Sequence, residues 1–126
     1  MHISYEEELK LVEGILTAAD FPVEDARTIA RVISHSDFTG VYSHGLSRLT
    51  RYMRQIEAGS LNPRPDFRTV EDSGAALVFD GDNGSGIVAV NRAYDALREK
   101  ARQYGVAMAI QTPTSVGGLQ SVMTWV

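Results

Sequence analysis

The sequence contains no cysteine, and it has few basic residues. Without thiols the chain can form neither a disulfide framework nor a thiolate metal centre. Its 12 Lys and Arg against 16 Asp and Glu give a net charge of −4, whereas a nucleic-acid-binding protein needs a basic face. No apolar run approaches the roughly 20 residues of a membrane span, and the acidic start lacks the features of a signal peptide. We therefore expect a cytoplasmic protein with no nucleic-acid or membrane partner.

Three helices are predicted in residues 1–60, which we expect to form a helical region. Ser4 and Glu7 fit a capping box that starts the first helix. The second helix is expected to cover Pro22–Phe38, with Pro at its start and acidic residues in its first turn. Ser43 is expected to cap the third helix.

Residues 61–126 mix strands with a helix. The last strand is predicted to be buried on both faces, because its apolar run is continuous. The predicted elements are Phe67–Val70, Ala75–Phe79, Val88–Tyr104 and Val106–Ile110. The pattern predicts a mixed α/β (α+β) fold, in which the helical region packs beside a small α/β region. The apolar end Ser121–Val126 indicates that this end docks into the fold or that the chain is one piece of something longer.

The densest chemistry lies between Asp37 and Tyr52. With Ser43 as the cap, His44 takes the first helical position, and Arg48 and Tyr52 follow at four-residue intervals on the same face. We expect Asp37 to hydrogen-bond to the segment around Ser43. The apolar stripe of this helix lies on another face and consists of Leu46, Leu49, Met53 and Ile56. The polar ladder is therefore expected to lie off the core.

This arrangement suits a small acid. A helix start offers free N–H groups and a partial positive charge. Arg48 can bind a carboxylate through two hydrogen bonds, and His44 can exchange a proton with a hydroxyl or carbonyl group. A small 2-oxo or 2-hydroxy acid requires both functions. The alternative from the residues alone is that Ser43 only caps the helix and that both cationic side chains simply face water.

Two other patterns in the sequence are of the kind found in cofactor or metal sites. The Gly84-x-Gly86 pair follows a strand and opens a helix, as in a dinucleotide fingerprint. The next strand, however, ends at Ile110–Gln111 without the acidic residue that a Rossmann unit requires, so a tight turn with positive φ is the simpler interpretation. His35 and Asp37 lie two residues apart and do not share a helix face. No metal site is predicted.

The chain resembles the malate/L-lactate dehydrogenase family of the second type, which is unrelated to the Rossmann-type lactate and malate dehydrogenases. Ureidoglycolate dehydrogenase and diketogulonate reductase belong to the same family, and the resemblance covers about Tyr5–Ile110. The motif G-x-x-S-H-G-x-x-R-x-x-x-Y falls on Gly40, Ser43, His44, Gly45, Arg48 and Tyr52. Further matches are Gly59 with Asn62-Pro63, Asp80-Gly81-Asp82-x-Gly84-x-Gly86, and the helix end Lys100–Val106.

The resemblance implies NAD(P)-dependent hydride transfer to or from a small 2-oxo or 2-hydroxy acid, or an imine, in a fold that is not Rossmann. It implies that His44 donates or accepts the proton and that Arg48 anchors the substrate carboxylate. Ser43 is implied to orient the substrate or cap the helix, and Tyr52 to form a pocket wall. The cofactor would be NAD or NADP, and no residue of this chain is assigned to it.

Two departures from the family pattern indicate an incomplete site. Family members are much longer, and most of their cofactor contacts lie in the part that would follow. They also carry a second active-site histidine after the strand Val106–Ile110, and here Ser115 falls at or beside that position. We expect a fragment, a truncated gene product, or a subunit that works as a homodimer or with a separate cofactor-binding chain, inactive alone. The alternative is a non-catalytic protein that retains the fold for small-acid binding or dimer contact.

Overall fold

The computed structural model describes residues 2–112 and the backbone of residues 120–125. The chain divides into two compact units, Met1–Arg64 and Pro65–Val126. The elements form a mixed α/β fold, as the sequence predicts. In the described residues, no helix combines the length and the apolar character that crossing a bilayer demands.

The first unit is helical. Its elements are α1 (Tyr5–Ala18), α2 (Val23–Phe38), a 3₁₀ turn (Tyr42–His44) and α3 (Ser47–Glu57). The predicted capping box is confirmed, because Glu7 N donates to Ser4 Oγ at 3.2 Å while Ser4 N donates to Glu7 Oε2 at 2.8 Å. The packed faces of α1 and α2 follow the helical spacing of their apolar residues, and the buried side chains are Val12, Leu16, Ala26, Ile29, Ala30 and Ile33.

The predicted start of the third helix at Ser43 is wrong. The chain makes a 3₁₀ turn there, and α3 begins only at Ser47. Ser43 does not cap α3, since its hydroxyl lies 2.9 Å from the ring of its own neighbour His44. The helical spacing that placed His44 and Arg48 on one α-helical face therefore does not apply, and the two side chains are related by the turn instead.

The second unit is a four-stranded sheet with one helix on it. Its elements are β1 (Arg68–Ser73), β2 (Ala76–Asp80), α4 (Gly86–Tyr104), β3 (Val106–Thr112) and β4 (Gln120–Trp125). The strand order is β1-β2-β3-β4, with a parallel β2–β3 pair and antiparallel outer strands. The core lies between α4 and the sheet and consists of Leu77, Phe79, Ala89, Ala93, Leu97, Ala101, Ala107 and Ala109. A single parallel crossover with antiparallel edges is not the doubly wound Rossmann arrangement.

The expectation that β3 is buried on both faces is wrong. Ala107, Ala109 and Gln111 are buried, whereas Val106 and Met108 are each 38% exposed. This alternation arises because α4 covers only one face of the strand. Strand β4 was not predicted, and its backbone pairs with β3, so this part of the chain joins the sheet.

Candidate active site

Ser43 connects the two side chains that the sequence singles out. Its Oγ lies 2.9 Å from His44 Nδ1, and its carbonyl oxygen accepts a hydrogen bond of 3.1 Å from Arg48 Nε. The His44 side chain is exposed, and Arg48 is half-buried. The imidazole and the guanidinium are thus held on the same short turn, although not by the helical register that the sequence suggested.

The Arg48 guanidinium is available to an external carboxylate. Its Nε is engaged by the Ser43 carbonyl, and among residues 2–112 no carboxylate lies within ion-pair distance of its terminal nitrogens. Most half-buried arginines pair with an acid, since a partly desolvated charge is otherwise unfavourable. A guanidinium without such a partner can bind a ligand carboxylate through two parallel hydrogen bonds.

The turn is anchored to the end of α2 through Asp37. Leu46 N donates to Asp37 Oδ2 at 2.6 Å, which confirms that Asp37 bonds to this segment. Two further bonds close the turn, from Val41 N to the Ser36 carbonyl and from Ser47 Oγ to the Tyr42 carbonyl. These hydrogen bonds fix the backbone on both sides of His44.

A buried acid lies behind Asp37. Glu8 on α1 is 3% exposed, and burial raises the pKa of its carboxyl, an effect that the neighbouring Asp37 carboxylate reinforces. The Ser34 hydroxyl lowers this pKa, although it does not reach hydrogen-bond geometry, and neither Ser34 Oγ nor Glu8 Oε1 has a hydrogen-bond partner in the described part of the protein. Glu8 is not among the residues that the sequence singles out. Its burial could have been predicted from its spacing, because Glu8 shares a helix face with the buried Val12.

The expectation that the polar ladder lies off the core is wrong at Tyr52. Tyr52 is only 9% exposed, and its ring centroid lies 6.3 Å from that of Phe21. Leu49 is buried on the same helix, whereas Met53 and Ile56 of the predicted apolar stripe are only half-buried. The α3 helix therefore turns its Leu49–Tyr52 side inward, and a substrate role for Tyr52 stays a prediction.

The position of Gly84 is explained by packing. A Cβ on Gly84 would lie 2.6 Å from Pro65 Cγ, so this glycine is needed for packing inside the second unit. The predicted positive φ is wrong at Gly84 and Gly86, since Asp82 and Asn83 of the same loop adopt it, at 47° and 53°. Ser115 lies outside the described residues.

The sequence matches the family model of malate/L-lactate dehydrogenase over residues 3–124. The chain belongs to this family. It is 36% identical to L-sulfolactate dehydrogenase of Methanocaldococcus jannaschii over 108 residues, which are 86% of this chain and 31% of that protein. It is 34% identical, over the same shares, to the ureidoglycolate dehydrogenase (NAD(+)) of Escherichia coli.

Solved structures of the family have the same fold. The sulfolactate dehydrogenase structure from M. jannaschii superposes with a TM-score of 0.86 at 34% identity, covering 90% of this chain and 33% of that one. Malate dehydrogenase from Pyrococcus horikoshii gives 0.85 at 29% identity, with the same coverage. The chain thus spans about a third of the length of the relatives it matches.

Proposed function

We propose that this chain provides the acid-binding and proton-transfer side of an NAD(P)-dependent dehydrogenase site for a small 2-oxo or 2-hydroxy acid, or an imine. The observation that carries the proposal is the connection of Arg48 and His44 through Ser43. Family membership supports it, because the matched relatives are named as dehydrogenases of malate, L-lactate, sulfolactate and ureidoglycolate.

In this proposal, Arg48 binds the substrate carboxylate. Its Nε stays on the Ser43 carbonyl, and the terminal nitrogens take the two carboxylate oxygens. We expect C2 of the acid to lie near His44 in this arrangement, since His44 is exposed on the same turn. Tyr52 would contribute only ring surface from the inner side of α3.

His44 then handles the proton through Nε2, since Nδ1 is engaged by Ser43. When the acid is reduced, the imidazolium donates its Nε2 proton to the carbonyl oxygen at C2. When the acid is oxidised, neutral Nε2 accepts the proton of the hydroxyl. In this proposal Nδ1 keeps its proton in both directions and donates it to Ser43 Oγ, and the contact with Ser43 holds the imidazole ring in place.

The nicotinamide cofactor, when bound, supplies or accepts the hydride. We assign no described residue, including the loop at Gly84, a part in holding this cofactor. The chain covers about a third of its relatives, so we propose that the cofactor contacts come from elsewhere, in a longer protein, a homodimer or a separate chain. In that case the 126-residue chain alone binds the acid without turnover.

Calorimetry with pyruvate tests the acid site. Arg48→Ala should weaken binding by roughly tenfold or more, as expected for loss of a charge-assisted pair. The matched control is Arg51→Ala, which removes an exposed arginine from the same helix and should leave the affinity unchanged. Equal affinities of the wild type and Arg48→Ala would refute the anchor role.

A spectrophotometric assay with NADH or NADPH and a panel of 2-oxo acids separates the two functional alternatives. Turnover that His44→Ala abolishes would show an active enzyme. Pyruvate binding without turnover and without calorimetric binding of either cofactor would support a non-catalytic or incomplete chain that retains the acid site.

A further inference from the structure

The feature that suggests a further role is the close fit between Asp37 and Gly45. A Cβ on Gly45 would lie 1.7 Å from Asp37 Oδ1 and 2.0 Å from Cγ, a distance no real contact allows. The φ of Gly45, −92°, is not the left-handed value that favours glycine. A side chain at this position would displace the Asp37 carboxylate, so the small size of Gly45 is what allows the carboxylate to lie here.

The carboxylate also supplies the hydrogen bond that α3 lacks. No side chain of the segment itself caps the helix, and Leu46, the residue before its first turn, gives its N–H to Asp37 Oδ2 at 2.6 Å. The first N–H groups of a helix have no partner within the helix, and an acceptor from elsewhere satisfies them. Asp37 thus acts as a cap that is supplied by α2.

The capped peptide lies between the two proposed functional side chains. Gly45, Leu46 and Ser47 separate His44 from Arg48 along the chain, and Arg48 Nε reaches back across them to the Ser43 carbonyl. A shift of this peptide changes the distance between imidazole and guanidinium, because both side chains leave the backbone on either side of it. Catalytic geometry is sensitive to displacements of about 1 Å.

We propose that Asp37 is a positioning residue which sets the spacing of His44 and Arg48, by accepting the Leu46 N–H and by filling the space beside Gly45. This inference rests on the proposed function only where acid binding is the readout. Asp37 itself touches neither of the two functional side chains in the contacts found for residues 2–112.

The test compares Asp37→Ala with Asp37→Asn in the full chain. The asparagine carbonyl can still accept from Leu46 N, whereas alanine cannot. Asp37→Ala should weaken pyruvate binding roughly tenfold, and Asp37→Asn should recover most of that loss. The matched control is Glu24→Ala, which removes an exposed acid from the same helix and should not change binding. Wild-type affinity in Asp37→Ala, or equal losses in Asp37→Ala and Asp37→Asn, would overturn the proposal.

A second pair of variants tests the steric part. Gly45→Ala should displace the Asp37 carboxylate and weaken pyruvate binding. In a chain that already carries Asp37→Ala, the same change should weaken pyruvate binding little further. Additive losses would show that Gly45 is needed for another reason, and would overturn the coupling.

Amide NMR separates this inference from the proposed function. In the wild type, Leu46 N–H should resonate downfield and exchange slowly, and Asp37→Ala should reverse both properties while Asp37→Asn preserves slow exchange. If the wild type does not bind pyruvate, the proposed function fails for this chain, and the Leu46 amide still decides the role of Asp37. A Leu46 amide unchanged in Asp37→Ala would overturn it.

Discussion

Replacing the buried Glu8 with glutamine should stabilise the protein at neutral and alkaline pH. Glu8 is 3% exposed, and its Oε1 has no hydrogen-bond partner in the described part of the chain. A buried polar group without a partner costs on the order of 1–3 kcal/mol, and more when it is charged. Glutamine has nearly the same shape without the charge. We therefore expect the free energy of unfolding to rise by about 1–2 kcal/mol at pH values above the titration range of the Glu8 carboxyl.

The pH dependence gives this prediction its sign. Burial raises the pKa of the folded Glu8 carboxyl above 4.5. The folded state therefore holds this proton more tightly than the unfolded state, and the resulting stabilisation is complete below pH 4.5. It is lost as the pH rises through the raised pKa. Wild type and Glu8→Gln should thus be similar near pH 4, and the variant should become the more stable one as the pH rises.

Urea denaturation at a series of pH values measures the difference. The control is Glu6→Gln, an exposed position of the same helix, which should change the free energy of unfolding by less than about 0.5 kcal/mol throughout. A Glu8→Gln curve parallel to the wild type at every pH would refute the reasoning. A Glu8→Gln variant less stable than the wild type at pH 8 would contradict it directly.

Two further variants test individual roles at the turn. Ser43→Ala should remove the hydrogen-bond partner of His44 Nδ1, and ¹⁵N NMR of the ring should then show a changed ratio of the two tautomers. An unchanged tautomer would argue against the role given to Ser43. Tyr52→Phe keeps the ring that packs near Phe21 and should change pyruvate affinity less than roughly threefold, whereas Tyr52→Ala should cost about 3–5 kcal/mol of stability, both measured on the purified chain.

The sequence predicted well where a local signal decides the structure. The capping box at Ser4 and the predicted end of α4 at Tyr104 are confirmed because a few neighbouring residues determine them, including Gly105 with φ 83° after the helix. The buried face of α2, with Ile29 and Ile33, likewise follows the helical spacing of its apolar residues.

Prediction from the sequence failed where a contact with a distant residue determines the structure. Ser43 has the right chemistry for a cap, yet Asp37 on the preceding helix supplies the acceptor at Leu46, and α3 starts three residues later than predicted. The exposed side of β3 and the pairing of β4 also depend on which elements cover the sheet. Such tertiary contacts override the local preference of a segment, and the local pattern of a single sequence does not predict them.

The candidate site was found from residue types and spacing, but its geometry was not. The four-residue spacing predicted that Arg48 and His44 share one face of an α-helix, and this prediction is wrong because His44 lies outside α3. The turn and Ser43 bring them together instead. Glu8 emerged only from the structure, and the sequence predicted that Asp37 bonds to this segment but not that it caps α3.

Titration of the ¹⁵N-labelled chain with pyruvate will show whether the turn around His44 binds the acid. We predict that the largest shifts fall on the Ser43, His44 and Gly45 amides and on Arg48 Nε, and that the His44 ring signals move at the same pyruvate concentration. Shifts confined to other parts of the chain, or none at millimolar pyruvate, would contradict the assignment of this turn as the acid site.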